Sequence, residues 1–251
     1  MAIPRRKSGE LRRNDRRRSE RSVQMIKLGG VRACVFDAYG TLFDFASAAA
    51  ACDRIPQDRR AALTALWRDK QLQYAWLRSL QGRYVDFWQV TGEALDYTLD
   101  SLGFADEGLP DELMALYRRL SAFAEVPSVL RALRDAGYAT AILSNGTPDM
   151  LDDAVAGARL EGLFDAVLSV DAVKVFKTDP RVYQYALDRL GLAAREVAFL
   201  SSNGWDAYAA SDFGLRAVWC NRRHQRRERL PGAPEFEIAS LAELPPLLGI
   251  G

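Results

Sequence analysis

Arg32-Ala33-Cys34-Val35-Phe36-Asp37-Ala38-Tyr39-Gly40-Thr41 is the stretch on which the reading of this chain turns. An apolar run too short for a stable helix meets an aspartate, and a glycine follows three residues later. A short continuous apolar run bounded by turn residues reads as a strand buried on both faces. Runs of the same kind recur at Ala139–Leu143, Phe164–Val170, Val197–Leu200 and Ala217–Cys220. The segments between them have helical spacing. Val126–Asp135 carries Val126, Val129, Leu130 and Leu133 on one stripe, with Pro127 in its first turn. Pro148–Ala158 and Pro180–Leu190 also place proline at the start, where its missing N–H costs nothing. Trp205–Asp212 is followed by Gly214. Strand and helix in alternation predict an α/β fold with a doubly wound parallel sheet, Rossmann-like in plan.

Residues 45–124 break the alternation. They hold no clear strand and read as helices over Ala46–Ala51, Arg59–Leu80, Tyr84–Leu102 and Asp111–Phe123, with Asp111 as the cap of the last. The expected organisation is a core domain of residues 26–44 and 125–251 with an inserted helical cap subdomain, residues 45–124. Residues 1–25 form a basic, disordered tail in this reading, and Met25-Ile26-Lys27 is an alternative opening of the domain.

Composition narrows the chemistry. The chain has 251 residues, net charge +1, 49% hydrophobic and 27% charged residues, the profile of a globular protein rather than a disordered one. No apolar run approaches the ~20 residues of a membrane span. Three scattered cysteines, Cys34, Cys52 and Cys220, suit a reducing cytoplasm. The single histidine, His224, lies in Arg222-Arg223-His224-Gln225-Arg226-Arg227 and reads as solvated surface. Triads, dyads and metal sites that depend on histidine are therefore excluded, and the chemistry falls to carboxylates, lysine, arginine and hydroxyls. Residues 1–27 hold ten Lys/Arg against three acids, whereas the other 224 residues hold 24 bases and 30 acids. A basic tail thus precedes an acidic globule, which argues against nucleic-acid binding by the folded part.

In a doubly wound sheet, ligands bind beyond the carboxyl ends of the strands. The residues just past each apolar run are Asp37 and Thr41; Ser144, Asn145 and Gly146; Asp171 and then Lys177; and Ser201, Ser202, Asn203 and Asp206. Each alone has an ordinary use in a turn or helix cap. Together they place a polar group at four strand ends along one edge.

These residues carry a family resemblance. Val35-Phe36-Asp37-Ala38-Tyr39-Gly40-Thr41 resembles the first motif of the haloacid dehalogenase superfamily, and Leu143-Ser144-Asn145-Gly146 resembles the second. Lys177 falls at the motif lysine, and Ser201-Ser202-Asn203-Gly204-Trp205-Asp206 resembles the fourth motif. The helical insert stands where that superfamily carries a cap. Leu66-Trp67-Arg68-Asp69-Lys70-Gln71-Leu72 and Gly82-Arg83-Tyr84-Val85-Asp86-Phe87 resemble the L-2-haloacid dehalogenase branch. Two departures stand out: Asp69 where the branch often has Gln, and Thr178 where it often has Pro.

The superfamily contains both phosphotransferases and dehalogenases. Phosphatases use Mg²⁺ and a second carboxylate two residues past the nucleophile as acid/base. Here that position is Tyr39. Halide leaves without a proton, so Asp37 followed by Tyr39 reads as metal-independent displacement at carbon.

The resemblance implies a hydrolase acting on carbon–halide bonds, converting (S)-2-haloalkanoic acids to (R)-2-hydroxy acids and halide through an aspartyl ester on Asp37. It assigns Lys177 as counter-charge to Asp37, with Thr41 and Ser201 orienting that carboxylate. Ser144 and the amides of Ala38 and Tyr39 receive the substrate carboxylate. Arg68, Asn145, Trp205 and Phe87 cradle the halide. Asn203 and Asp206 place the hydrolytic water, or Asp206 pins Lys177 instead. Tyr183 matches a position important for activity, placed near Lys177. The partners implied are the 2-haloacid and its halide, with no cofactor, metal, nucleic acid or membrane, and a homodimer through the cap helices. Two alternatives stay open at this point: a Mg²⁺-dependent phosphatase or phosphonate hydrolase on the same fold, and a non-catalytic α/β protein whose basic tail recruits nucleic acid.

Overall fold

The structure is a computed structural model that describes residues 28–250. The expectations for the tail and for a start at Met25 lie outside the described residues. Five helix-forming stretches follow the first strand, β1 (Ala33–Phe36): α1 (Ala46–Ala51), α2 (Gln57–Gln81), α3 (Phe87–Leu102), α4 (Leu109–Tyr117) and α5 (Val126–Asp135). Alternation then sets in with β2 (Ala139–Ser144), α6 (Pro148–Gly157), β3 (Ala166–Ser169), α7 (Pro180–Leu190), β4 (Val197–Ser201), α8 (Gly204–Phe213), β5 (Arg216–Cys220) and β6 (Phe236–Ile238).

The six strands form one sheet in the order β3-β2-β1-β4-β5-β6, every neighbouring pair parallel. This is the doubly wound α/β architecture expected from the apolar runs. The chain winds outward from β1 to β2 and β3, then returns to lay β4 on the other side of β1. The reversal puts a crevice at the carboxyl ends of β1, β2 and β4. β1 and β4 are buried along their whole length, as strands with helices on both faces must be.

Helices α1 to α4 stand between β1 and α5, and one continuous cluster of buried apolar side chains runs from the sheet into them. Phe43 pairs with Ala122 in an isolated antiparallel bridge, and Asp44 donates its amide to the Ser121 carbonyl at 2.8 Å. The chain therefore leaves and re-enters the core side by side.

Several boundaries differ from those read in the sequence. The fourth cap helix opens at Leu109, so Asp111 lies within its first turn and does not cap it; Pro110, with its fixed φ, starts the helix earlier. That helix ends at Tyr117 rather than Phe123, because Ala122 is drawn out to pair with Phe43. α3 begins at Phe87, not Tyr84, because the Asp86 side chain accepts the Gln89 amide at 2.8 Å and caps it there. β6 was not foreseen: its three residues, with a glutamate at the centre, are too short a run to register as a strand. Among the described residues, no helix is long and apolar enough to cross a membrane.

Candidate active site

Strand pairing continues one residue past β1, where the Asp37 amide donates to the Leu200 carbonyl of β4 at 2.9 Å. That bond fixes the backbone from which the Asp37 side chain projects into the crevice, 5% exposed. The chain then turns tightly. Amides of Thr41, Leu42 and Phe43 all donate to the Ala38 carbonyl, and Gly40 takes φ +91°, a conformation L side chains rarely adopt. The turn folds Thr41 back, so that its hydroxyl donates to Asp37 Oδ2 at 2.9 Å and accepts the Ser202 amide at 2.8 Å.

Two more elements complete the shell around Asp37. Asn203, just ahead of α8, donates Nδ2 to Asp37 Oδ2 at 2.8 Å and to the Tyr39 carbonyl at 3.2 Å. Lys177, from the loop between β3 and α7, places Nζ 3.1 Å from Asp37 Oδ1 and 2.8 Å from Asp206 Oδ2. Its own amide donates to Asn145 Oδ1 at 3.0 Å. Asp206, in the first turn of α8, accepts the Tyr183 hydroxyl on Oδ1 at 2.8 Å. A carboxylate offers about four lone-pair sites. The three donors on Asp37 leave roughly one site free.

Burial dominates the electrostatics. It would depress the Lys177 ammonium, but the charges of Asp206 and Asp37 outweigh it and hold that pKa above the ordinary lysine value. Burial, with the charge of Asp37 adding to it, raises the Asp206 carboxyl although Lys177 and Tyr183 pull the other way. Burial first, and then Asp206, raises the Tyr183 phenol, which therefore stays a donor. Tyr39 is likewise raised, chiefly by burial.

Other predicted residues surround this network. The Ala38 and Tyr39 amides find no acceptor among the described residues. Ser144, fully buried, accepts the Gly146 amide at 3.1 Å, which leaves its hydroxyl proton to give. Phe87 is buried with its ring 6.2 Å from that of Tyr39. Trp205 packs edge-on against Trp76 at 5.4 Å. Arg68 reaches down from α2 and donates to Asn203 Oδ1 at 3.3 Å. Ser201 departs from its expected place: its hydroxyl accepts the Asn203 amide at 3.1 Å and makes no bond to Asp37, because a serine at a strand end folds back on the amide two residues on. Asp69 and Thr178 are both exposed, and Asp69 makes no ion pair with Arg68.

Further residues belong to the site to which the sequence reading gave no role. Tyr117 stacks on Tyr39 with centroids 5.4 Å apart. Gly146 lies so close to Tyr39 that a Cβ there would meet its ring at 2.9 Å. Arg222, anchored by Glu125, donates to the Thr41 carbonyl at 2.9 Å. Gln71 accepts from Arg68 at 2.7 Å. Of these, Gly146 and Gln71 stand inside the motifs quoted from the sequence, Gln71 three residues from Arg68 on one helix face. A cleft of about 800 Å³, lined by Phe45, Arg68, Asn203, Trp205 and Arg223 among others, leads to Arg68 and Asn203, with Asp37 behind them. Among the described residues, no three His, Cys, Asp or Glu side chains converge as a metal site.

The arrangement holds an almost dry carboxylate, with an ammonium beside it, facing unpaired amides. Residues 31–214 match a family model described as haloacid dehalogenase-like hydrolase. (S)-2-haloacid dehalogenase 1 of Pseudomonas sp. (strain CBS-3) is 45% identical over 219 residues, 87% of this chain and 96% of that protein. (S)-2-haloacid dehalogenase 4A of Burkholderia cepacia is 45% identical over 220 residues, 87% of this chain and 95% of the relative. The structure of L-2-haloacid dehalogenase from Xanthobacter autotrophicus with chloropropionic acid covalently bound is similar with a TM-score of 0.82 at 42% identity, covering 87% of this chain and 98% of that one.

Proposed function

This chain belongs to the haloacid dehalogenase-like hydrolase family, in its L-2-haloacid dehalogenase branch, and from that premise we propose that it hydrolyses (S)-2-haloalkanoic acids to (R)-2-hydroxy acids and halide through an ester on Asp37. It is a hydrolase acting on carbon–halide bonds. The observation that carries the mechanism is the buried Asp37 carboxylate, with Lys177 on one oxygen and Thr41 and Asn203 on the other.

The free Asp37 lone pair attacks C2 of the substrate in line with the carbon–halogen bond. The new C–O bond forms as the halide departs with its electron pair, and the configuration inverts. Water then adds to the Asp37 ester carbonyl. The acyl C–O bond breaks, one water proton goes to the hydroxyl of the product and the other is released, which restores the carboxylate.

The substrate carboxylate is received by the Ser144 hydroxyl and the Ala38 and Tyr39 amides. Arg68, the Asn145 amide, Phe87 and Trp205 take the halide. Asp206 and Tyr183 keep Lys177 aimed at Asp37, and Asn203 places the water. Tyr39 holds the position where metal-dependent relatives need a carboxylate, and Lys177 supplies the positive charge, so the reaction proceeds without a metal ion. The proposal includes a homodimer through the cap, where Leu77 and Leu80 of α2 are 50% and 84% exposed.

Chloride release from (S)-2-chloropropionate in EDTA tests the activity and its metal independence together. Persistent release supports both. No release at high enzyme concentration overturns the activity, and release that needs added Mg²⁺ overturns the metal independence. Repeated turnover in ¹⁸O water should label the peptide carrying Asp37. Asp37→Asn should lower kcat by about 10⁴-fold or more. An unlabelled peptide with full turnover overturns the ester.

A further inference from the structure

We infer that Gln71 is a positioning residue that sets the direction of the Arg68 guanidinium, through a hydrogen-bond relay anchored in the backbone of α3. This inference rests on the proposed role of Arg68 at the same site.

Gln71 is 1% exposed, unusual for an amide side chain. Its Oε1 accepts Arg68 Nη1 at 2.7 Å. Its Nε2 donates to Thr91 Oγ1 at 2.7 Å and to the Tyr117 hydroxyl at 3.2 Å. The Thr91 hydroxyl is already committed, donating to the Phe87 carbonyl at 2.6 Å. A hydroxyl has one proton, so toward Gln71 the threonine can only accept. The amide nitrogen of Gln71 must therefore face Thr91, and its oxygen must face Arg68. The reverse orientation would set two donors against each other at the guanidinium and two acceptors against each other at Thr91. The helix carbonyl of Phe87 thus dictates the polarity of the whole relay.

The consequence reaches Asp37. Arg68 is gripped by two amide carbonyls, Gln71 Oε1 from the cap and Asn203 Oδ1 from the core. Guanidinium carries five N–H groups in a rigid plane. Fixing one on each terminal nitrogen fixes the plane and leaves three to meet an anion. Asn203 in turn holds Asp37 Oδ2. The relay from Phe87 through Thr91, Gln71 and Arg68 to Asn203 therefore sets where positive charge stands relative to the attacking carboxylate. It also ties Arg68 to Tyr117, whose ring stacks on Tyr39.

The test is a double-mutant cycle with Arg68, read by kinetics and by NMR. Gln71→Met keeps the length and apolar packing but removes both ends of the relay. It should lower kcat/KM for (S)-2-chloropropionate by about 10–100-fold, the cost of a misplaced binding group. In an Arg68→Lys background, the same change should matter less than about threefold, because the group it positions is gone. Thr91→Val, which keeps shape, should produce a smaller loss that also vanishes in that background, and it decides the question if Gln71→Met does not fold. Equal losses in both backgrounds, or unchanged kcat/KM in Gln71→Met, overturn the inference. Guanidinium resonances assigned by their disappearance in Arg68→Lys give a readout independent of turnover. Slow exchange in the parent protein that is lost in Gln71→Met supports the relay. Slow exchange that persists overturns it, even if the parent protein releases no chloride and the activity itself is at fault.

Discussion

At the scale of single residues, the site depends on close approach as much as on charge. Gly146 follows Asn145 at the end of β2 and lies flat against Tyr39. A methyl group there would stand 2.9 Å from the Tyr39 ring and 3.3 Å from Leu151, so something must shift. Gly146→Ala should destabilise the fold by about 1–3 kcal/mol, the usual cost of overpacking, and lower kcat as Tyr39 is pushed across the Asp37 pocket. Thermal denaturation and chloride release check the two parts. Asp37, Thr41, Asn203 and Asp206 were legible in the sequence because each stands close past a strand or opens the next helix, and Lys177 because it falls at the motif lysine. Gly146 was visible as a turn residue, but its use as clearance for an aromatic ring depends on a contact 107 positions away along the chain.

At the scale of elements, the start of α3 places two groups in the site. Asp86 caps α3, and the first residue it sets in the helix is Phe87, whose ring packs beside Tyr39 and Phe176. Its first turn also presents the Phe87 carbonyl on which the Thr91 hydroxyl depends. Asp86→Ala should cost about 0.5–2 kcal/mol, the worth of an N-cap, with a fall in kcat/KM larger than the stability loss alone implies. Urea titration beside steady-state kinetics separates these effects. The periodic interior of α5 and α7 made their limits readable residue for residue, whereas α4 was read too long. The difference is tertiary: nothing within residues 118–123 forbids helix, and the bridge from Ala122 to Phe43 wins.

At the scale of the whole molecule, one ammonium ties the loop ahead of α7 to both the end of β1 and the first turn of α8. Lys177, 1% exposed, bridges Asp37 beyond β1 and Asp206 on α8. Its pKa is raised in the folded state, so its contribution to stability is complete below the ordinary lysine value of 10.5 and is lost only as pH rises through the folded value. Lys177→Met would leave two neighbouring carboxylates buried without a counter-charge. It should cost about 3–5 kcal/mol at pH 7, and the deficit should shrink as pH falls and the Asp206 carboxyl, already raised by burial, takes up a proton. Denaturant titrations of both proteins from pH 7 to pH 4 check the sign; a deficit that stays constant would mean the charge is not the cause. By itself the sequence determined the parallel α/β plan, the helical insertion and the strand ends that carry the polar groups of the candidate site. These follow from local periodicity and from the rule that such sheets bind ligands at their carboxyl edge. Only the tertiary structure decided that Ser201 serves Asn203, that Asp206 and Tyr183 secure Lys177, and that Gln71 and Tyr117 stand behind Arg68 and Tyr39. A hydrogen bond is short and directional, and its partners here come from segments far apart in the chain, so no spacing along the sequence encodes it.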